Sequence, residues 1–279
     1  MRKVPMKVLT KIAACFFIFI ASHAHAKFHE INNPDDLNMD TLMDIAMTTG
    51  YTDHIPHFKQ IFDNYEVDTF LEFGCGYSTK FFLDNSKKVI SVEFVTNGCG
   101  PEWLKYCLKF FEGCNKWMPI TFFTGYQGDT SWSKFSFFGT DEVYKAGSYQ
   151  CAQHKNYALI SNAYIVELDT FIKGLATTNK IDVGFVDSGL YLRGDLVELL
   201  FDKVPVIFAH DARCRAIGEI DDVYGYSRIQ TPNNYEELFI PGGMGTMVWI
   251  KTDPEFKPLR DAIKSYINAA GWAPFYEGH

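Results

Sequence analysis

The sequence predicts an α/β protein with three layers, α/β/α: a mostly parallel sheet covered by helices on both faces, ending in an antiparallel hairpin. Three observations predict it. Short apolar runs alternate with stretches of helical spacing, several of those runs stop abruptly on glycine or an acid, and a Pro-Gly-Gly loop at 241–243 precedes the last β-rich run.

The elements follow in order. Residues 38–65 hold two weakly helical stretches, the second beginning near His54-Ile55-Pro56, where Pro56 suits a first turn. Thr69 to Phe73 is a short apolar strand that stops at Gly74-Cys75-Gly76, and a helix over Ser78 to Asn85 turns Phe81, Phe82 and Leu83 toward the sheet. Val89–Phe94 and Ile120–Thr124 are the second and third strands. After a long interval, Ile165, Leu168, Ile172 and Leu175 recur at helical spacing. Ile181–Val186 is a fourth strand ending at Asp187; Leu196–Phe201 is helical; Val204–Ala209 is a fifth strand ending at His210-Asp211. Ser227–Gln230 and Gly245–Ile250 are expected to form the hairpin.

Residues 1–26 read as an address. Arg2, Lys3, Lys7 and Lys11 precede or border a ten-residue apolar stretch, Ile12 to Ala21, and Ala24-His25-Ala26 supplies small residues for a peptidase. Cleavage is expected before Lys27, with export to the periplasm or the medium; a buried N-terminal helix and an uncleaved anchor are the alternatives. The expected organisation is a signal over 1–26 and one domain over 27–279, with a core over 66–251 and an aromatic insertion over 125–160. Tyr126, Trp132, Phe135, Tyr144, Tyr149 and Tyr157 give that insertion the look of a lid or binding loop, or of a loop packed on the sheet.

The formal net charge is −8, and losing the signal removes four of the 26 basic residues and none of the 34 acidic ones, leaving −12. Such a chain is repelled by nucleic acid and anionic lipid, so neither is an expected partner. No apolar run reaches the roughly 20 residues of a membrane span. Of seven cysteines, Cys15 leaves with the signal; Cys75, Cys99, Cys107, Cys114, Cys151 and Cys214 permit disulfides in an oxidising compartment, with Cys99–Cys114 the first expectation and free buried thiols the alternative. The cysteine spacings match no zinc site.

Chemistry is expected at the strand C-termini, where open α/β sheets bind ligands. Gly74 and Gly76 let the backbone turn tightly and come close to a ligand, and the helix from Ser78 aims unpaired N–H groups at the same space. Glu93, nineteen residues beyond Gly74 at the end of the next strand, is placed to accept hydrogen bonds from ribose hydroxyls. Strand, GxG, helix, strand and acid in that order point to an adenosine-containing ligand; a structural turn beside a surface Glu is the bland reading.

Those residues resemble the class I S-adenosylmethionine-dependent methyltransferases. Leu71-Glu72-Phe73-Gly74-Cys75-Gly76-Tyr77-Ser78-Thr79 is similar to the first motif of that family, Val92-Glu93 to its ribose-binding strand end, Asp182–Ser188 to its fourth-strand motif and Phe208-Ala209-His210-Asp211 to its fifth. The resemblance spans about residues 66–251 and implies a Rossmann-like methyltransferase fold with S-adenosylmethionine as cofactor. It implies that Glu72, Gly74, Gly76 and Ser78 surround the methionine part and Glu93 holds the ribose. Asp129 either approaches the adenine or caps a turn.

The resemblance also sets the expectations for catalysis. In catechol-type members, carboxylates at the positions of Asp187 and Asp211 bind a divalent cation with a neighbouring Asn; here Ala212 follows Asp211, so the set is one ligand short and a metal on Asp187 and Asp211 is the lesser alternative. Otherwise Asp187 and Asp211 are helix caps, or one of Asp187, His210 and Asp211 is a general base. Arg193 is expected to bind the acceptor, and Arg213, with Arg215, either clamps an acceptor carboxylate or phosphate or pairs with acids such as Asp221 and Asp222. Three functions follow: methyl transfer to an oxygen, or a nitrogen, of a small molecule or glycan; a binding protein that keeps the fold without transfer; and a nicotinamide-dependent oxidoreductase. The last is weakened by Thr79 at the third glycine position of the dinucleotide fingerprint and by the terminal hairpin.

Overall fold

The computed structural model describes residues 31, 33–49, 52–95, 107–123, 169–188, 193–213, 216 and 224–269. The expected signal over 1–26, the aromatic insertion over 125–160, and Asp129, Arg215, Cys99, Cys151 and Cys214 lie outside them.

Seven strands form one sheet: β1 (Thr69–Phe73), β2 (Lys88–Val95), β3 (Trp117–Phe123), β4 (Val183–Val186), β5 (Val206–His210), β6 (Tyr235–Ile240) and β7 (Thr246–Lys251). Their order is β3-β2-β1-β4-β5-β7-β6. The pairings from β3 through β5 are parallel, and β7 runs antiparallel to both neighbours. Strand order reverses between β1 and β4, so the crevice over their C-terminal ends is where a ligand is expected. The helices are α1 (Met39–Thr49), α2 (Ile55–Asn64), α3 (Ser78–Asn85), α4 (Arg193–Leu200) and α5 (Lys257–Ala269), with a further helical stretch over 169–178.

Period-two alternation divides the strands between two cores. Phe70, Val183, Phe185, Val206 and Phe208 face one side, with residues of α1, α2, α3 and α5; Leu71, Phe73, Val186, Ile207 and Ala209 face the other, against α4 and the 169–178 helix. Phe58 of α2 is the hub of the first core, its ring centroid 4.6 Å from Phe208, 4.8 Å from Phe185 and 4.9 Å from Phe82. Aromatic pairs of this kind contribute about 0.5–1.5 kcal/mol each beyond area burial. This packing seats the start of α2 against the C-terminal end of β5. At the opposite end of the sheet, buried Asp182 accepts the Asp68 and Thr69 amides at 2.9 Å each, fastening the start of β1.

The hairpin departs from expectation. Ser227–Gln230 is no strand: Tyr226–Arg228 is a 3-10 turn, and β7 pairs with Tyr235–Ile240 instead. Glu236 and Glu237 disguise that strand, which is stable because it is the sheet edge, where charged side chains remain half-exposed and discourage further pairing. A second departure is α5, whose Leu259 and Ile263 are buried and whose remaining positions are mostly polar. Cys75, Cys107 and Cys114 are free thiols, so the expected Cys99–Cys114 bridge is not shown. Among the described residues no helix is long and apolar enough to cross a membrane.

Candidate functional site

The turn after β1 is built around its two glycines, and each does a different job. Gly74 has φ +101°, and a Cβ there would lie 2.6 Å from the Asp187 carbonyl oxygen, so glycine is what lets the ends of β1 and β4 meet. Gly76 faces open space: a Cβ at that position would meet nothing within 4 Å. Glu93 leans over this turn from the end of β2: its Oε2 accepts the Cys75 amide at 3.1 Å and the Cys75 thiol at 3.4 Å. The carboxylate, the turn and the open face of Gly76 thus share one small region, a cradle whose polarity suits a nucleoside.

Two of the expected cofactor residues face inward from that cradle. Glu72 is buried on the Phe70 side of β1 and accepts hydrogen bonds from Thr79 Oγ1 (2.8 Å) and Ser91 Oγ (2.5 Å). Burial pushes its carboxyl up to about 8 against the pull of those two hydroxyls. Thr79 Oγ1 also accepts the Gly76 amide at 3.0 Å, so Glu72 supports the turn from beneath. Ser78 Oγ lies 2.7 Å from His54 Nε2.

A second region lies over the ends of β4 and β5. His210 turns both ring nitrogens to carboxylates: Nε2 is 2.6 Å from Asp53 Oδ1, and Nδ1 is 3.3 Å from Asp187 Oδ1 and from Asp211 Oδ1. Burial alone would depress its pKa, but Asp211, Asp53 and Asp187 outweigh it and hold the ring protonated. In return, burial raises Asp53 and Asp187, and the positive His210 overrides it, keeping both ionised. Asp211 reaches His210 because its backbone bends back at φ +56°, a left-handed conformation that Asp tolerates better than most residues. Asp53 Oδ2 also accepts the Met244 amide at 3.0 Å, tying the start of α2 to the β6–β7 loop. A Cβ at Gly243 would overlap that carboxylate, so the loop closes on Asp53 only with glycine there.

Arg193, at the start of α4, is buried and points into this cluster. Its Nη1 donates to Asp211 Oδ2 at 2.8 Å and lies 3.0 Å from Asp187 Oδ1, while Nε donates to the Ser188 carbonyl at 2.7 Å. The Tyr224 ring covers the guanidinium at 4.0 Å, and Tyr226 donates to the His210 carbonyl at 2.7 Å. Arg213 is half-buried beside the hairpin loop, its amide donating to the Met244 carbonyl.

The structure therefore gathers Glu93, Gly74 and Gly76 in one region and Asp187, His210, Asp211 and Arg193 in an adjoining one. Asp53 and His54 join the second, and sequence reasoning missed both. They sit in the turn before α2, far ahead of β4 in the chain, and their only local signal is an acid and an imidazole just ahead of a helix-starting Pro56. His54 is fully buried among Phe58, Phe185 and His210; burial, then the His210 charge, lowers it to about 3, so it stays neutral. Replacing Asp53 with Asn should lower the His210 pKa, because one of three carboxylates facing the ring loses its charge. NMR titration of the His210 ring reads this directly, and an unshifted midpoint would remove Asp53 from the network.

No protein-family model matches the sequence, and no curated protein matches it. Among solved structures, a methyltransferase from Podospora anserina with S-adenosylhomocysteine bound is 11% identical, with 91% of this chain and 99% of that chain covered at a TM-score of 0.42. An O-methyltransferase of tomaymycin synthesis from Streptomyces achromogenes, in complex with S-adenosylmethionine, is 10% identical, with 70% and 77% covered at a TM-score of 0.40. Likeness at that level leaves any assignment to the geometry of the site itself.

Proposed function

We propose that this protein binds S-adenosylmethionine over the ends of β1 and β2 and transfers a methyl group to an oxygen of a small molecule or glycan. One observation carries the reading: Glu93 is bonded to the Gly74-Cys75-Gly76 turn beside the open face of Gly76, in a sheet whose β7 is antiparallel. That reversed strand, with Thr79 in place of a third glycine, favours this cofactor over a dinucleotide. Gly76 and Glu93 are the residues that would hold the nucleoside, and Glu72 and Thr79 brace the turn. When bound, the cofactor supplies an electrophilic methyl carbon.

The chain's own contribution is chiefly to position the acceptor. Asp187 and Asp211 are the most open acids of the cluster, with side chains 23% and 19% exposed. They can accept the hydrogen bond of an acceptor hydroxyl and aim its lone pair at the cofactor. Holding the two reactants in line supplies much of the acceleration in such a transfer. Asp211, Asp53 and Asp187 raise the His210 pKa, which disfavours a base role for that ring. The same closed network supports a second reading, a binding protein that keeps the cradle without transfer. Export of the mature chain after cleavage before Lys27 belongs to either proposal.

Calorimetric titration of the purified chain with S-adenosylmethionine, S-adenosylhomocysteine and NAD separates the readings. Binding of the first two without NAD is expected; NAD alone would overturn the assignment, and binding without turnover on any hydroxylated acceptor would favour the second reading. Glu93→Ala should weaken cofactor binding by about 1–3 kcal/mol. Unchanged affinity in that variant would take Glu93 out of the site.

A further inference from the structure

We infer that Arg193 is the resident cation of the strand-end carboxylates: its guanidinium fills the place a divalent ion would take between Asp187 and Asp211, and the site is complete without a metal. This role for Arg193 does not depend on the methyl-transfer reading.

The ligand spacing for an ion is present. Asp187, His210 and Asp211 each offer an atom within 4.8 Å of the others, a spacing that oxygen and nitrogen ligands adopt around a hard cation. The space among them is occupied. Nη1 of Arg193 stands 3.0 Å from one carboxylate and 2.8 Å from the other, in bridging position, and also donates to the His210 carbonyl at 3.3 Å. The remaining candidate ligand is engaged as well: His210 turns Nε2 to Asp53 at 2.6 Å and Nδ1 to Asp187 and Asp211 at 3.3 Å each.

Charge counting agrees with the geometry. Three carboxylates, from Asp53, Asp187 and Asp211, face two cations, Arg193 and His210, so the cluster is close to neutral. Adding a divalent ion would reverse its sign and press it against a guanidinium that has nowhere to go. The Tyr224 ring covers one face of that guanidinium, the Ser188 carbonyl holds Nε, and the side chain is only 6% exposed. Deleting the guanidinium would instead leave Asp187 and Asp211 without the cation that bridges them.

The test is a charge deletion read by metal binding, with no assay of turnover. Unfolding midpoints of the wild-type chain and of Arg193→Met are measured by differential scanning fluorimetry in EDTA and in millimolar MnCl2 or MgCl2. The wild-type midpoint should be the same in all three. Arg193→Met should unfold at lower temperature in EDTA and recover several degrees with Mn2+. Adding Asp211→Asn to that variant should abolish the recovery. If Arg193→Met is insoluble, it is refolded with and without Mn2+: metal-dependent recovery of folded protein supports the inference, and failure in both overturns it. A wild-type midpoint raised by metal, and no longer raised in Asp187→Asn, also overturns it, as does a folded Arg193→Met that ignores Mn2+.

Discussion

Replacing Gly74 with Ala should cost about 2–5 kcal/mol of stability and abolish the proposed nucleoside binding, because two independent penalties combine. At φ +101° an L-residue is strained by roughly 1–2 kcal/mol. Its Cβ would also stand 2.6 Å from the Asp187 carbonyl oxygen, a backbone atom that cannot swing aside, and overpacking of this kind adds about 1–3 kcal/mol. The methyl group would part the ends of β1 and β4, where the Asp187 amide donates to the Phe73 carbonyl at 3.0 Å. Gly76→Ala is the informative partner. Its new Cβ meets nothing within 4 Å, so stability should change by less than about 1 kcal/mol while cofactor affinity falls. Urea unfolding with calorimetric titration of both variants measures the two effects separately. Equal stability losses would mean that Gly76 faces protein rather than a ligand.

Glu72→Gln should stabilise the protein at alkaline pH by on the order of 5 kcal/mol, with little change near pH 4. Burial raises the folded-state pKa of Glu72 to about 8 from an ordinary 4.5. A raised carboxyl contributes stability that is fully present below pH 4.5, where both states are protonated, and is lost as pH rises from there toward 8. Over that range the unfolded chain gives up its proton while the native chain retains it. Gln keeps an oxygen for Thr79 and Ser91 and has nothing to ionise, so the variant loses this slope. His54 and His57, lowered to about 3 and about 4 by burial, act in the opposite window: their stability is present above pH 6.5 and lost on acidification. Urea unfolding of wild type and variant between pH 4 and 8 isolates Glu72 as the difference between the two curves. Parallel curves would show that Glu72 ionises freely in the native state.

Both predictions rest on a turn that is legible in the order of the amino acids alone. An apolar β1 stopping at Gly74-Cys75-Gly76, a helix beginning at Ser78, and an acid nineteen residues beyond Gly74 are local features, and each forms where the pattern places it. The roles inside that turn are less legible. Glu72 and Ser78 sit in the motif, yet their side chains turn inward to Thr79, Ser91 and His54, because alternation along β1 and the pitch of α3 decide which way each points. Arg193 is expected to meet an acceptor, and it lies against Asp187 and Asp211. A lone arginine at the head of a helix carries no mark of whether it faces solvent or the core.

By itself, then, the sequence determined the α/β class, the parallel strands β1 to β5 and the two strand ends that carry Glu93 and His210-Asp211, because periodicity, turn glycines and strand stops are properties of neighbouring residues. Tertiary structure alone decided the β6–β7 pairing, the seat of α5, and the meeting of Asp53, Asp187, Arg193, His210 and Asp211. Those contacts join segments as far apart as Asp53 and His210, 157 positions, and opposite charges choose one another only after two cores have packed the elements that carry them.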